Sequence, residues 1–140
     1  MTEIAKSVAE IIADVRARGD QALLEYTERW DGVRLGPGDL RVPAETLEAE
    51  VEESDFAAAF SRAVERIEKF HNTVKPRTSL YEDEDGVLMG MRWTPISSVG
   101  LYVPGGKAAY PSTLAMTALP ARIAGVERIV VVSPPGPDGD

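Results

Sequence analysis

The chain has 140 residues, of which 44% are hydrophobic, and a formal net charge of -8 from 23 acidic and 15 basic side chains. This length and apolar content allow a globular domain with its own core, whereas the acidic balance argues against a nucleic-acid or anionic-membrane surface, because both need clustered lysine and arginine. The absence of cysteine excludes a disulfide framework and a thiolate zinc site, and the polar start without a long apolar run predicts a cytoplasmic protein with no export signal and no membrane span.

The first half of the sequence predicts helices. Apolar residues recur at helical spacing from Ile4 to Val15, so roughly the first eighteen residues predict an amphipathic helix that ends at Gly19. Asp20 is a good N-cap for a second helix, which runs to Trp30.

A glycine- and proline-rich turn at residues 36–39 separates this pair from two further predicted helices. Residues 43–53 predict a short helix, and Ser54 or Asp55 predicts the N-cap of a longer one. The longer helix presents an apolar face that must pack against another element. That face is formed by Phe56, Phe60, Ala63, Val64, Ile67 and Phe70.

After Pro76 the pattern changes from helical spacing to alternation, which predicts a β-hairpin. Its first strand contains Leu80 and Tyr81, its turn spans residues 82–86, and its second strand spans residues 87–93. The acidic residues of the turn lack the spacing of a calcium-binding loop, so the turn is expected to be only solvated.

The last part of the sequence predicts a strand, a glycine turn, a helix and a second strand. Residues 99–103 form the first strand, and residues 128–133 form the second, which is apolar enough to be buried on both faces as in a parallel sheet. The interval between them fits a crossover helix over residues 111–124, closed by Gly125. Pro120 lies inside this helix and is expected to kink or split it.

Together these elements predict an α/β chain. Residues 1–98 are expected to form a helical region with a β-hairpin, and residues 99–140 the first βαβ unit of an incomplete, truncated Rossmann-like parallel sheet. Because the two parallel strands lack neighbours, their open edges predict either marginal stability or self-association.

The glycine turn is the part of the sequence best suited to bind a ligand. In a βαβ unit it places backbone N–H groups and a helix N-terminus where an anion can bind. Gly105 and Gly106 therefore either approach a ligand or only form a tight turn. The pair does not decide between these alternatives, because it lacks the G-x-G-x-x-G spacing of dinucleotide-binding turns. Tyr102 either stacks on a cofactor ring or is a half-buried tyrosine, and Lys107 either pairs with a phosphate or is solvated.

The sequence predicts no catalytic and no metal-binding residue in this chain. His71 is the only histidine, and its place at a predicted helix end favours an interaction with the helix C-terminus. Ser112 and Thr113 are expected to cap the crossover helix. No Ser/His/Asp set, cysteine nucleophile or zinc-ligand spacing is present.

The segment VGLYVPGGKAAYPSTLAMTALPARIAGVERIVVVSPP resembles the signature region of histidinol dehydrogenase. The resemblance extends backwards through IEKFHNTVKP and DVRARGDQALLEYTERWDG, so it covers nearly the whole chain. Thr117, where the family is expected to have an amide side chain, is a minor departure.

This resemblance implies an NAD-dependent, zinc-requiring enzyme of histidine biosynthesis that oxidises L-histidinol through the aldehyde to L-histidine. It also implies a homodimer, and more generally a homo-oligomer. In the family the tyrosine of the GLYVPGG strand contacts NAD, which carries over to Tyr102, with Gly105 and Gly106 as the adjoining turn.

The family's proton-transfer residues, zinc ligands and most of its substrate contacts lie further along its sequence. The resemblance therefore implies the N-terminal part of the enzyme, trimmed at both ends and inactive alone. Two alternatives stay open at this point: a dehydrogenase of the same family for another polar alcohol, and a non-catalytic helical interaction module.

Overall fold

The computed structural model describes residues 2–49, 54–105 and 110–136. In chain order the elements are α1 (Glu3–Arg18), α2 (Asp20–Trp30), α3 (Ala44–Ala49), α4 (Asp55–Val74), β1 (Ser79–Glu82), β2 (Leu88–Met91), β3 (Ser98–Tyr102), α5 (Pro111–Ala124) and β4 (Arg128–Val132). The described residues form two compact units: 2–49 with 105 and 134–136, and 54–104 with 110–133. The predicted domain boundary at residue 98 stays a prediction.

The first two helices confirm the predicted elements but correct one cap. The Thr2 Oγ1 atom accepts a hydrogen bond from the Ala5 N–H at 3.4 Å, and α1 ends at Gly19 as predicted. Gly19 is also the N-cap of α2, with φ 60° and ψ -135°, and Asp20 is the first helical residue. The predicted Asp20 cap is therefore wrong, because the glycine backbone reverses the chain without a spacer residue.

Charged side chains join α1 to α2. The Nε and Nη2 atoms of Arg18 each donate to a carboxylate oxygen of Asp14 at 2.6 Å, and its Nη1 atom donates to Glu25 at 2.6 Å. The Tyr26 hydroxyl also donates to Asp14, at 2.9 Å. Ala22 is the one residue of these two helices that is fully buried. The polar cluster of Asp14, Arg18, Glu25 and Tyr26 therefore adds directional contacts between the two helices.

The polar cluster shifts the titration of its own members. The Arg18 hydrogen bonds, followed by that of Tyr26, lower the pKa of Asp14 from 3.8 to about 2. The hydrogen bond to the Asp14 carboxylate raises the pKa of Tyr26 above its usual 10, because the phenol must stay protonated to donate. Asp14 is therefore held ionised and Tyr26 neutral across the ordinary pH range.

Ser54, one of the two predicted caps, begins α4, and its Oγ atom accepts a hydrogen bond from the Ala57 N–H at 3.1 Å. The turn at residues 36–39 and α3 are also present as predicted, although residues 50–53 of the predicted short helix lie outside the described part of the chain. Helix α4 packs against α5. Its apolar face is nevertheless only partly covered, because Phe56 and Phe70 are about three-fifths exposed.

The β-hairpin is confirmed, with β1 and β2 antiparallel and Tyr81 opposite Met89. In its turn, Asp83 Oδ1 accepts hydrogen bonds from the N–H groups of Asp85 and Val87. At the open end, the Trp93 N–H donates to Thr78 Oγ1 at 3.0 Å. Both strands are exposed along their whole length.

The βαβ unit is confirmed, with β3 and β4 parallel and Leu101 opposite Val131. Its core consists of Leu101 from β3 and of Ala115 and Leu119 from α5, each at most 8% exposed. The prediction that the second strand is buried on both faces is wrong. Among the described elements only α5 packs on these strands, so most of β4 is exposed.

Pro120 was predicted to kink or split α5. The split is wrong, since the helix is continuous from Pro111 to Ala124, and the kink stays a prediction. Proline has no N–H to donate to the preceding turn. Two contacts from α4 and its C-cap reach the last turn of α5. Lys75 Nζ donates to the Ile123 carbonyl at 2.6 Å, and Arg122 forms an ion pair with Glu68.

Candidate functional site

Tyr102, the first predicted cofactor-binding residue, is the last residue of β3. Its backbone lies opposite Val132 of β4, and the next N–H, that of Val103, donates to the Val132 carbonyl at 2.9 Å. The parallel ladder therefore fixes the main chain on both sides of Tyr102. Tyr102 is 62% exposed, more than the half-buried alternative predicted, and its role in binding a cofactor stays a prediction.

The glycine turn follows three residues later. Gly105 is described and exposed, whereas Gly106 and Lys107 lie outside the described residues. Helix α5 then begins at Pro111, with Tyr110 as the N-cap residue. The order of β3 before α5 is as the sequence predicted, whereas most of the predicted glycine turn, at residues 106–109, lies outside the described residues.

The N-terminus of α5 carries no side-chain cap. Tyr110 makes no capping hydrogen bond, and no acidic residue lies in the first turn. The prediction that Ser112 and Thr113 cap the helix is therefore wrong. Within the described residues, no acidic side chain of the first turn and no side-chain cap meets the positive end of the helix dipole, and such an end favours an anionic ligand.

The C-terminal end of α5 is fixed more firmly. Gly125 adopts a left-handed conformation with φ 95°, and its N–H donates to the Arg122 carbonyl at 3.1 Å. The Val126 N–H donates to the Ala121 carbonyl at 3.1 Å, which completes a Schellman-type cap. With Leu119 only 8% exposed, the helix is held by its buried side chains and by its C-terminus.

Potential metal ligands are scattered in the part of the chain that the structure describes. In the described part of the chain, no group of three His, Cys, Asp or Glu side chains lies close enough together to hold a metal ion. His71 lies half-buried in the last turn of α4, with its ring edge-on to Phe70 at a centroid distance of 5.3 Å. No helix of the described residues is long and apolar enough to cross a bilayer.

A family model described as histidinol dehydrogenase matches residues 1–140. The chain belongs to the histidinol dehydrogenase family. The histidinol dehydrogenase of Gluconobacter oxydans (strain 621H) is 50% identical over 138 residues, which are 97% of this chain and 32% of that protein. The corresponding protein of Caulobacter vibrioides is 46% identical over 136 residues, covering 96% of this chain and 32% of that protein.

The fold is shared with a solved member of the family. The crystal structure of histidinol dehydrogenase from Elizabethkingia anophelis matches 100% of this chain and 32% of that chain, with a TM-score of 0.87 and 30% identity. The chain therefore spans about a third of the length of the relatives it matches, at their N-terminal end. The predicted family and α/β fold class are confirmed, and the interaction-module alternative is not favoured.

Sequence reasoning missed the polar cluster between α1 and α2. The spacing of Asp14 and Arg18, four residues apart on one helix, was a local signal for their ion pair. The links to Glu25 and Tyr26 had no such signal, because they depend on how the second helix folds back. The cluster supports the first helix pair.

Proposed function

We propose that this chain forms part of an NAD-dependent histidinol dehydrogenase, in which Tyr102, Gly105 and Gly106 line one edge of the NAD site. The complete enzyme oxidises L-histidinol through the aldehyde to L-histidine and requires zinc. The match of the family model to all 140 residues carries this proposal. We also propose, from the family, a cytoplasmic homo-oligomer.

The described residues fit NAD in two respects. Tyr102 offers an exposed ring for stacking and a hydroxyl for hydrogen bonding at the carboxyl end of a parallel strand, where nucleotide-binding folds bind their ligands. The α5 N-terminus, free of a side-chain cap, suits the pyrophosphate. NAD supplies the hydride acceptor when bound, and the role of this chain is to bind and orient it.

We infer that the chain does not oxidise L-histidinol by itself. Hydride transfer requires a substrate that is oriented next to the cofactor and a group that takes up its proton. The described residues assemble no metal site, and His71, the single histidine, packs at the end of α4. The family resemblance places the zinc ligands and the proton-transfer residues further along the family's sequence than this chain extends.

The cofactor contact is tested by titrating NAD into the isotopically labelled chain and following its amide resonances by NMR. We expect shifts at residues 101–105 and 110–113 and a dissociation constant in the millimolar range, about 4 kcal/mol of binding free energy, since only part of the site is present. Tyr102→Ala should weaken binding several-fold. Tyr81→Ala is the matched control, because Tyr81 is 60% exposed and lies on the hairpin.

Equal weakening by both variants would show that Tyr102 has no specific role in binding NAD. No shift in the wild-type chain at ~10 mM NAD would contradict the cofactor site itself. Production of NADH from NAD, zinc and L-histidinol by the purified chain would contradict the inferred lack of activity.

A further inference from the structure

Gly100 lies in the middle of β3, where most other residues would be more favourable than glycine. Glycine loses more conformational freedom on folding than any other residue and has no side chain to pack, so it weakens the interior of a strand. The parallel ladder pairs Gly100 with Val130 of β4 in regular register, so no bulge accounts for it. A glycine at this position therefore needs another reason.

The surroundings of Gly100 supply no such reason within the described residues. Its φ lies outside the left-handed region that favours glycine. Apart from its two chain neighbours, no described heavy atom lies within 4 Å of the position that a Cβ atom would take. Gly90 in the hairpin is the contrast, because a Cβ atom there would overlap the carbonyl oxygen of Ser79. A side chain at position 100 is therefore compatible with the described fold.

The open space at Gly100 lies on the same face of the strands as Tyr102. Successive side chains alternate across a strand, and Leu101, between these two exposed residues, is buried on the other face. The register places Val130 beside Gly100 and Val132 beside Tyr102. Gly100, Tyr102, Val130 and Val132 together are called the Gly100 face below.

The Gly100 face suits a flat aromatic ring. Its side chains are one phenol ring and two branched aliphatic groups, exposed by 62% at Tyr102, 40% at Val130 and 54% at Val132. Gly100 and Tyr102 are roughly 7 Å apart along the strand, so a ring lying over the Gly100 backbone can turn its edge towards the Tyr102 ring. A glycine inside a strand is typical of a place where a ligand approaches the backbone closely.

We propose that Gly100 is a further residue of the NAD site, and that one planar base of the dinucleotide lies on the Gly100 face against the Gly100 backbone and the Tyr102 ring. This inference rests on the proposed function. Adenine and nicotinamide share the flat aromatic shape that the face would bind, and the experiment distinguishes them. A side chain at position 100 would occupy the space of the base, so it should hinder NAD and leave the strand intact.

The test compares NAD titrations of the isotopically labelled wild-type chain and of two variants, followed by NMR. Gly100→Val should weaken NAD binding about tenfold or more, and Gly100→Ala about threefold, because the larger side chain fills more of the space. Gly38→Ala is the matched control. Gly38 lies in the turn at residues 36–39, also without a left-handed φ and with no described heavy atom within 4 Å of a Cβ atom. This control should leave the affinity for NAD unchanged.

Thermal unfolding separates a loss of binding from a loss of fold. Because valine is favoured in strands and glycine is not, Gly100→Val should unfold at a temperature no lower than the wild-type chain does. A melting temperature that falls in both Gly100→Val and Gly100→Ala would overturn the proposal, since the fold itself would then need the space at Gly100.

The two halves of the cofactor show which base binds. AMP and nicotinamide mononucleotide are titrated separately, and the amide resonances of residues 99–103 and 129–133 are followed. The half whose base lies on the Gly100 face should shift these resonances in the wild-type chain and much less in Gly100→Val. Equal responses of the two chains to both halves would overturn the proposal.

The NAD titrations also distinguish failure of this inference from failure of the proposed function. If the wild-type chain binds NAD and Gly100→Val binds it equally well, Gly100 has no part in the site and the proposed function stands. If Gly38→Ala weakens binding as much as Gly100→Ala does, the inference is equally wrong. If NAD shifts no resonance of the wild-type chain, both the inference and the proposed cofactor site are wrong.

Discussion

The α1–α2 pair and the β3–α5–β4 unit are held together in opposite ways. In the first, Arg18 bridges Asp14 and Glu25, and Ala22 is the only fully buried residue. In the second, Leu101, Ala115 and Leu119 form a small apolar core between a helix and a parallel pair of strands. One contact is directional and charged, and the other is mainly apolar.

This difference determines how each region responds to its surroundings. Charged hydrogen bonds specify one geometry, and they weaken when a partner is neutralised or screened. Apolar burial depends on the area removed from water and changes little with pH or salt. The helix pair should therefore be sensitive to pH, and the βαβ unit to the loss of apolar volume.

The largest effect is expected from Leu119→Ala in the βαβ unit. Leu119 is 8% exposed in a core with few members, so truncation removes buried methyl groups and leaves a cavity. We expect a loss of about 2–3 kcal/mol in the free energy of unfolding, measured by urea denaturation followed by circular dichroism. Higher salt should not restore the lost stability.

Leu114→Ala is the control, because Leu114 lies on the same helix but is 37% exposed. Its cost should stay below about 1 kcal/mol, as for other surface substitutions. Equal losses in the free energy of unfolding for the two variants would mean that Leu119 does not stabilise the βαβ unit through burial. The difference drawn here between an apolar and a charged contact would then be wrong.

The next effect is expected from the backbone of the helix pair. Gly19 has φ 60° and ψ -135°, a combination that residues with a Cβ atom avoid, whereas Gly125 at the end of α5 has an ordinary left-handed conformation. Gly19→Ala should cost about 1–3 kcal/mol, and Gly125→Ala only about 1 kcal/mol. Thermal unfolding compares the two variants. For Gly19→Ala, unfolding is followed by Trp30 fluorescence in a Trp93→Phe background. A larger cost at Gly125 would reverse the predicted order.

The smallest effect concerns pH. Because the folded pKa of Asp14 is lowered from 3.8 to about 2, its ionised form stabilises the helix pair above about pH 4, and this stabilisation is lost as the pH falls towards 2. The raised pKa of Tyr26 acts in the opposite direction, and its contribution is lost as the pH rises above about 10. Trp30 fluorescence in a Trp93→Phe background measures the loss of stability at low pH and at high pH.

Asp14→Asn should lower the free energy of unfolding at neutral pH. It should also reduce the loss of stability between about pH 4 and pH 2. Glu28→Gln is the control, because Glu28 pairs with Arg34, a side chain that is 82% exposed, and surface pairs of this kind contribute little. If Asp14→Asn loses as much stability between pH 4 and pH 2 as the wild-type chain does, another carboxylate controls acid unfolding of this region.

Local signals account for most of the elements that the sequence predicted. The helix bounds at Gly19 and Gly125, the Ser54 cap and the hairpin turn each depend on residues within a few positions of one another. The errors at Asp20, Ser112 and Thr113 are also local, because several residues at a helix start can cap and the sequence does not select among them.

For the candidate site, too, the sequence predicted the positions of residues along the chain from local signals. The place of Tyr102 at the end of a strand and of Gly105 in the following turn came from the strand–turn–helix pattern, and family resemblance then suggested NAD. The exposure of Tyr102 was not available from the pattern, because it depends on which elements cover the strand end.

By itself, the sequence determined the order of helices and strands, the α/β class and the family, because spacing, caps and glycines act over short stretches of chain. Only the tertiary structure decided which faces are covered. It showed that Arg18 reaches Glu25, that Lys75 supports the last turn of α5 around Pro120, and that β4 and the hairpin remain exposed. These features depend on contacts between distant residues, and solvent exposure is a property of the folded chain.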